Sequence, residues 1–235
     1  EDTVGTAILS FNVNDIDTPL GSLVVTGSSG LPALVTNANL VPTCNAMGAC
    51  TLTITPQPNA FGVATITLTV SDGGVPLGQA SANFQLTVTN VADAPVIVTV
   101  ADRTGAAALT EDLPTVIAVT VQDPDLCNAA GAVNGAESIT LTAASSNTTV
   151  LPDGNLVVAP TGGTCTRTFN LTATGGTNQV SPPNVTVTLT ATSSDTLTDT
   201  DAFDVEINPV DDPPVISAIA NQIAGSRWNG FLFFG

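Results

Sequence analysis

The chain has 235 residues, of which 20 are acidic and only three basic, leaving a net charge of −17 with no histidine or tyrosine. Such a charge excludes nucleic acids and anionic membrane surfaces as partners, because both need a basic footprint, and it invites cations. The missing histidine excludes Ser-His-Asp and Cys-His catalysis and leaves zinc sites of the His/Cys type strained or impossible.

The acidic residues sit beside prolines and glycines at predicted strand ends, and the chain has one tryptophan and no tyrosine to stack a sugar. Paired-carboxylate glycosidase chemistry is therefore not expected, and the chain is read as no enzyme. An apolar content of 43 % is enough for two ordinary cores.

In chain order, Glu1-Asp2-Thr3 is followed by an alternating segment and Asp15-Ile16-Asp17. Residues Ala64, Ile66, Leu68 and Val70 then alternate with Thr65, Thr67 and Thr69, the period-two pattern of a half-buried antiparallel strand. Turn residues punctuate such segments at Asp72-Gly73-Gly74, Asp153-Gly154, Gly175-Gly176 and Pro182-Pro183, and no window has helical periodicity. The class is all-β, a sandwich.

The landmarks then return in the same order. Glu1-Asp2 recurs as Glu111-Asp112, Asp15 and Asp17 as Asp123 and Asp125, Cys50–Ile54 as Cys165–Phe169, and Thr65–Asp72 as Thr186–Asp195. Phe84–Ile97 recurs as Phe203–Ile216, each an alternating strand running into Asp-x-Pro-Val-Ile. The spacing is a whole domain, not a solenoid unit. It divides the chain into residues 1–94, 95–213 and a tail of 214–235.

Four cysteines without a CxxC pair point to an oxidising, extracellular compartment. Of the three possible connectivities, pairing within each repeat is preferred, Cys44–Cys50 and Cys127–Cys165; four buried thiols are the alternative. No apolar run is long enough to cross a membrane, so no membrane insertion is expected. Sequons at Asn147, Asn170 and Asn184 are read as coincidence in so threonine-rich a chain.

The Asp-x-Asp pairs, Ser71-Asp72-Gly73 and the Val91-Ala-Asp-Ala-Pro-Val96 junction together resemble the tandem cadherin-like repeats of large bacterial surface proteins, across residues 1–216. The resemblance implies two tandem Greek-key Ig/cadherin-like β-sandwich domains with calcium at the junctions. By position it implies Glu1 and Asp2 as ligands from the first repeat, Asn90 and Asp93 from the linker, and Asp123, Asp125 and Asp195 from the second repeat. Calcium suits such a set because it takes six to eight oxygens. The linker departs from the family's Asp-x-Asn-Asp, and no mid-domain acidic ligand is evident. The implied function is an extracellular structural subunit of a fibre or surface assembly. The alternatives are a piece of a calcium-dependent adhesin stalk, or a sandwich module binding a surface glycan or protein.

The ends of the chain carry a further expectation. Between Pro95 and Glu111 the second repeat has Val96–Thr110 to form its first strand, and the first repeat has no counterpart. Beyond Pro214, the segment 215–225 reads as a first strand without a domain, with Val215, Ile216, Ile219 and Ile223 as its apolar positions. The two features are complementary, which predicts a head-to-tail homopolymer built by donor-strand addition. Glu111, Asp112, Asp211 and Asp212 of one copy would then face Asp15, Asp17 and Asp72 of the next around calcium. The apolar tail from Trp228 to Gly235 has no counterpart in either repeat.

Overall fold

Alternation of threonine with valine, isoleucine and leucine gives fifteen strands among the described residues of the computed structural model, which are 1, 7–74, 78–176, 179, 184–214 and 216–220. Six strands precede the linker: β1 (Ala7–Asn12), β2 (Val24–Ser29), β3 (Leu40–Cys44), β4 (Ala49–Ile54), β5 (Gly62–Ser71) and β6 (Gln79–Val88). They form two antiparallel sheets in the orders β1-β4-β3 and β2-β5-β6. Ala64 and Ile66 point into the space between the sheets and are buried, as their period-two placement requires.

Nine strands follow: β7 (Val96–Ile97), β8 (Leu109–Thr110), β9 (Thr115–Gln122), β10 (Ile139–Ser145), β11 (Leu156–Gly162), β12 (Thr166–Ala173), β13 (Val185–Ser193), β14 (Thr198–Val205) and β15 (Ile207–Asn208). One sheet runs β11-β12-β9-β7, the facing one β10-β13-β14, and β15 pairs in parallel with β8. Each group of sheets encloses its own buried cluster. The first is centred on Leu34, Leu52 and Ile66, the second on Ile117, Leu171, Leu189 and Phe203. The chain is all-β, with short 3-10 turns as the only helical elements among the described residues.

Strand for strand, β1 to β6 match β9 to β14, so β7 and β8 have no partner in the first sandwich among the described residues. The continuous strand expected over Val96–Thr110 is instead split. Its start pairs with β9, its end pairs with β15, and a 3-10 turn at Gly105–Ala107 lies between. The segment crosses from one sheet to the other, and no single ladder can follow it across that gap.

Both expected disulfides are formed, Cys44–Cys50 and Cys127–Cys165. Cys44–Cys50 staples the β3–β4 hairpin, where Gly48 adopts φ +77 and a Cβ would meet the Val13 carbonyl at 2.3 Å. Cys127–Cys165 closes a loop with a sequence separation of 38, which on chain-entropy grounds contributes about 4 kcal/mol. It also braces the loop that touches the first sandwich, where Ala129 N–H donates to the Phe61 carbonyl at 2.9 Å.

Candidate metal centre

At the linker the loops of both sandwiches bring carboxylates together. Asp123 follows β9 and caps the 3-10 turn behind it, accepting the Asp125 N–H on Oδ1 at 2.8 Å. That turn points Asp125 back at the linker, where its Oδ2 accepts the Asp93 N–H at 2.6 Å. Glu1 approaches from the other side, its Oε1 taking the Val91 N–H at 3.0 Å. Oxygens of Glu1, Asp93 and Asp125 lie within 4.8 Å of one another, and so do those of Asp125, Glu137 and Asp195, so Asp125 belongs to both groups.

Glu137, which sequence reasoning did not single out, stands in the second of these carboxylate groups. The β9–β10 loop folds back on itself, through Asn134 N–H to the Leu126 carbonyl and Glu137 N–H to the Asn134 carbonyl. This buries Glu137 against Ser194, whose N–H and hydroxyl reach its two carboxylate oxygens at 3.1 and 2.8 Å. Being the one acid between Asp125 and Asp153 was the only signal available.

Asp123 and Asp125 are almost fully buried, and Asp123 Oδ2 and Asp125 Oδ1 have no hydrogen-bond donor. Carboxylate pairs this close repel by roughly 3 kcal/mol at an effective dielectric of about 20. Orphaned buried oxygens in an all-oxygen donor set fit a hard divalent cation. Asn90 is exposed on the linker, and Asp2 lies outside the described residues.

The other end of the second sandwich repeats part of this arrangement. Glu111, the counterpart of Glu1, is only 2 % exposed; its Oε1 accepts the Val210 N–H at 2.6 Å, and its Oε2 has no donor. Asp112, Asp211 and Asp212 are exposed nearby in sequence. At the far end of the first sandwich, Asp15 and Asp72 line one cavity of about 190 Å³, while Asp17 is exposed. Asp15 Oδ1 accepts the N–H groups of Thr18 and Asp17, which hold its pKa below the ordinary value.

The first sandwich also has an open edge. A groove of about 320 Å³ runs between β1 and β6, walled by Leu9, Phe11, Val13, Ala80, Ala82 and Phe84 and floored by Leu68 and Val70. The β9 counterparts of its β1 wall, Ile117, Val119 and Val121, are fully buried, whereas Leu9 is 39 % exposed. In the second sandwich the equivalent space is filled by the segment after Pro95, which inserts Ile97 (5 % exposed) and Val100 (7 %) into the core. Aligning the two Asp-x-Pro-Val-Ile junctions puts Ile216 and Ile219 at the positions of Ile97 and Val100. Ile216 is 81 % and Ile219 76 % exposed. Val215 and Ile223, named with them from sequence, lie outside the described residues.

No protein-family model and no curated protein matches the sequence. Solved structures are similar at low identity. The human desmocollin-1 ectodomain is 11 % identical, with a TM-score of 0.48 over 89 % of this chain and 38 % of that one. Cadherin domains 1–5 of protocadherin gamma B2 are 16 % identical, with a TM-score of 0.45 over 90 % and 42 %. An endo-fucoidan hydrolase of glycoside hydrolase family 107 matches at 19 % identity and a TM-score of 0.33 over 80 % and 24 %. The chain spans less than half the length of each.

Burial raises the Asp123 pKa to about 6, helped by the neighbouring charges of Asp125, Glu137 and Asp93 and opposed by the Asp125 N–H. A carboxyl whose folded pKa lies above its unfolded value penalises folding when ionised. That penalty is full above about pH 6 and is relieved as pH falls through 6 toward 4. In the metal-stripped protein, thermal melts should therefore show this group's contribution to stability rising from pH 7 to pH 4.5. Asp123→Asn should flatten the rise; an unchanged profile in that variant would show that another group titrates.

Proposed function

We propose that this chain is an extracellular, non-catalytic structural module. In this reading calcium at the linker stiffens it, and copies join head to tail by donating residues from 216 onward to the groove of the next copy's first sandwich. The observation that carries the proposal is the match between two features. A groove lies open in one sandwich where its sibling is filled, and two isoleucines are exposed at the positions whose siblings do the filling.

An incomplete sandwich with an exposed edge is a liability that proteins cover, and an added strand covers it with both side chains and main-chain hydrogen bonds. The head-to-tail contact uses different surfaces on the two copies, so it need not close and extends into a filament. Calcium would be held by Glu1, Asp93, Asp123, Asp125, Glu137 and Asp195, where it supplies the positive charge that lets these buried carboxylates sit together. Two disulfides fit an oxidising, extracellular setting.

Electron microscopy and sedimentation of the chain with and without residues 214–235 test the proposal. Residues 1–235 should form thin filaments, and the truncated chain, melting at the same temperature, should stay monomeric. Filaments from the truncated chain would refute donor-strand joining. If residues 1–235 stay monomeric, the groove is filled instead by a segment preceding Glu1 in a longer protein.

A further inference from the structure

The two sandwiches differ in how they treat a strand at this edge. In the second, the carboxylates of β14 hold the incoming segment directly. Asp199 Oδ2 accepts the Ile97 N–H at 2.7 Å and Asp201 Oδ2 accepts the Val100 N–H at 2.9 Å. Just beyond, Glu206 accepts the Gly105 N–H at 2.6 Å, and Asp102 returns the favour by accepting the Asp204 N–H at 2.9 Å. Charge-assisted bonds of this kind are about twice as strong as neutral ones.

Aligning Phe203 with Phe84 puts Ala80 and Ala82 of β6 where Asp199 and Asp201 stand in β14, and both alanines line the groove. The first groove thus lacks both carboxylates and their bulk. The segment that would fill it changes in the opposite sense, carrying Ile219 where the second sandwich's own segment has Val100. A carboxyl is lost from the wall where a methylene is gained on the strand.

We propose that these positions decide which sandwich takes a strand from another copy. Asp199 and Asp201 keep the second sandwich locked on its own segment, and Ala80 and Ala82 shape the first for an apolar strand of a second copy bearing isoleucine at 219. The inference rests on the donor-strand reading and adds strand selectivity to it. Discrimination arises from room and occupancy: the alanines leave space for the larger isoleucine, and the second groove is already filled by a segment its own carboxylates hold.

The test uses the full-length chain below its assembly concentration and a fluorescent peptide of residues 213–223, with anisotropy as the readout. The chain should bind one equivalent. Ala82→Asp should weaken binding at least tenfold without lowering the melting temperature, and a peptide carrying Ile219→Val should suffer less from that substitution than the native peptide. Asp199→Ala with Asp201→Ala should admit a second equivalent. If Ala82→Asp binds the native peptide unchanged, or penalises both peptides equally, the selectivity proposal is wrong while donor-strand joining stands. If the unsubstituted chain binds no peptide, donor-strand joining itself fails.

Discussion

Replacing Ile216 and Ile219 together with aspartate should abolish filaments while leaving both sandwiches folded. Their counterparts Ile97 and Val100 are core residues of the second sandwich, packed in one cluster with Val119, Val121 and Phe203. Fully burying an aliphatic side chain of this size contributes about 1.5–3 kcal/mol, so the two together supply roughly 3–6 kcal/mol to a joined pair. Each 1.4 kcal/mol is tenfold in affinity, and the critical concentration for assembly should rise at least ~100-fold. Aspartate adds the cost of carrying charge into an apolar groove.

Because both isoleucines are exposed in the chain on its own, the substitutions should leave its melting temperature unchanged. Sedimentation across a concentration series reads the effect. An unchanged critical concentration would mean that the groove is filled by something other than this segment.

The second large effect concerns calcium. Asp125 belongs to both carboxylate groups at the linker, so Asp125→Asn removes one charge from each at once while keeping an oxygen to accept the Asp93 N–H. Calcium at about a hundred times its dissociation constant contributes roughly 2.7 kcal/mol to the folded state, or about 5–10 °C in a chain of this size. The unsubstituted chain should show that shift in a calorimetric melt, and the variant should lose most of it, with calcium affinity at least ~100-fold lower.

Without metal the sign reverses. Asparagine relieves repulsion among buried carboxylates, so the variant should melt higher than the metal-stripped parent. A variant that melts lower both with and without calcium would show that Asp125 acts through its hydrogen bond to the linker and not through a cation.

Local pattern was enough to read much of this protein. Threonine against valine and leucine placed Ala64 and Ile66 inside, because strand side chains alternate strictly between faces. Recurrence of Asp-x-Asp and Asp-x-Pro-Val-Ile marked a unit copied whole, and pairing within repeats gave both disulfides. These features depend on residues a few positions apart or on a unit copied whole.

Tertiary structure alone decided the rest. Glu137 joins the acidic cluster because a disulfide-braced loop folds back on Ser194, a contact across 57 residues that no spacing announces. The crossing segment Val96–Thr110 is split because it bridges two sheets, and carboxylates 102 and 101 residues away take its N–H groups. The sequence by itself determined which residues face inward and which motifs repeat, since both follow from backbone geometry and local order. Which carboxylates meet, and how the crossing segment divides between two sheets, was settled only when loops distant in the chain closed around the same space.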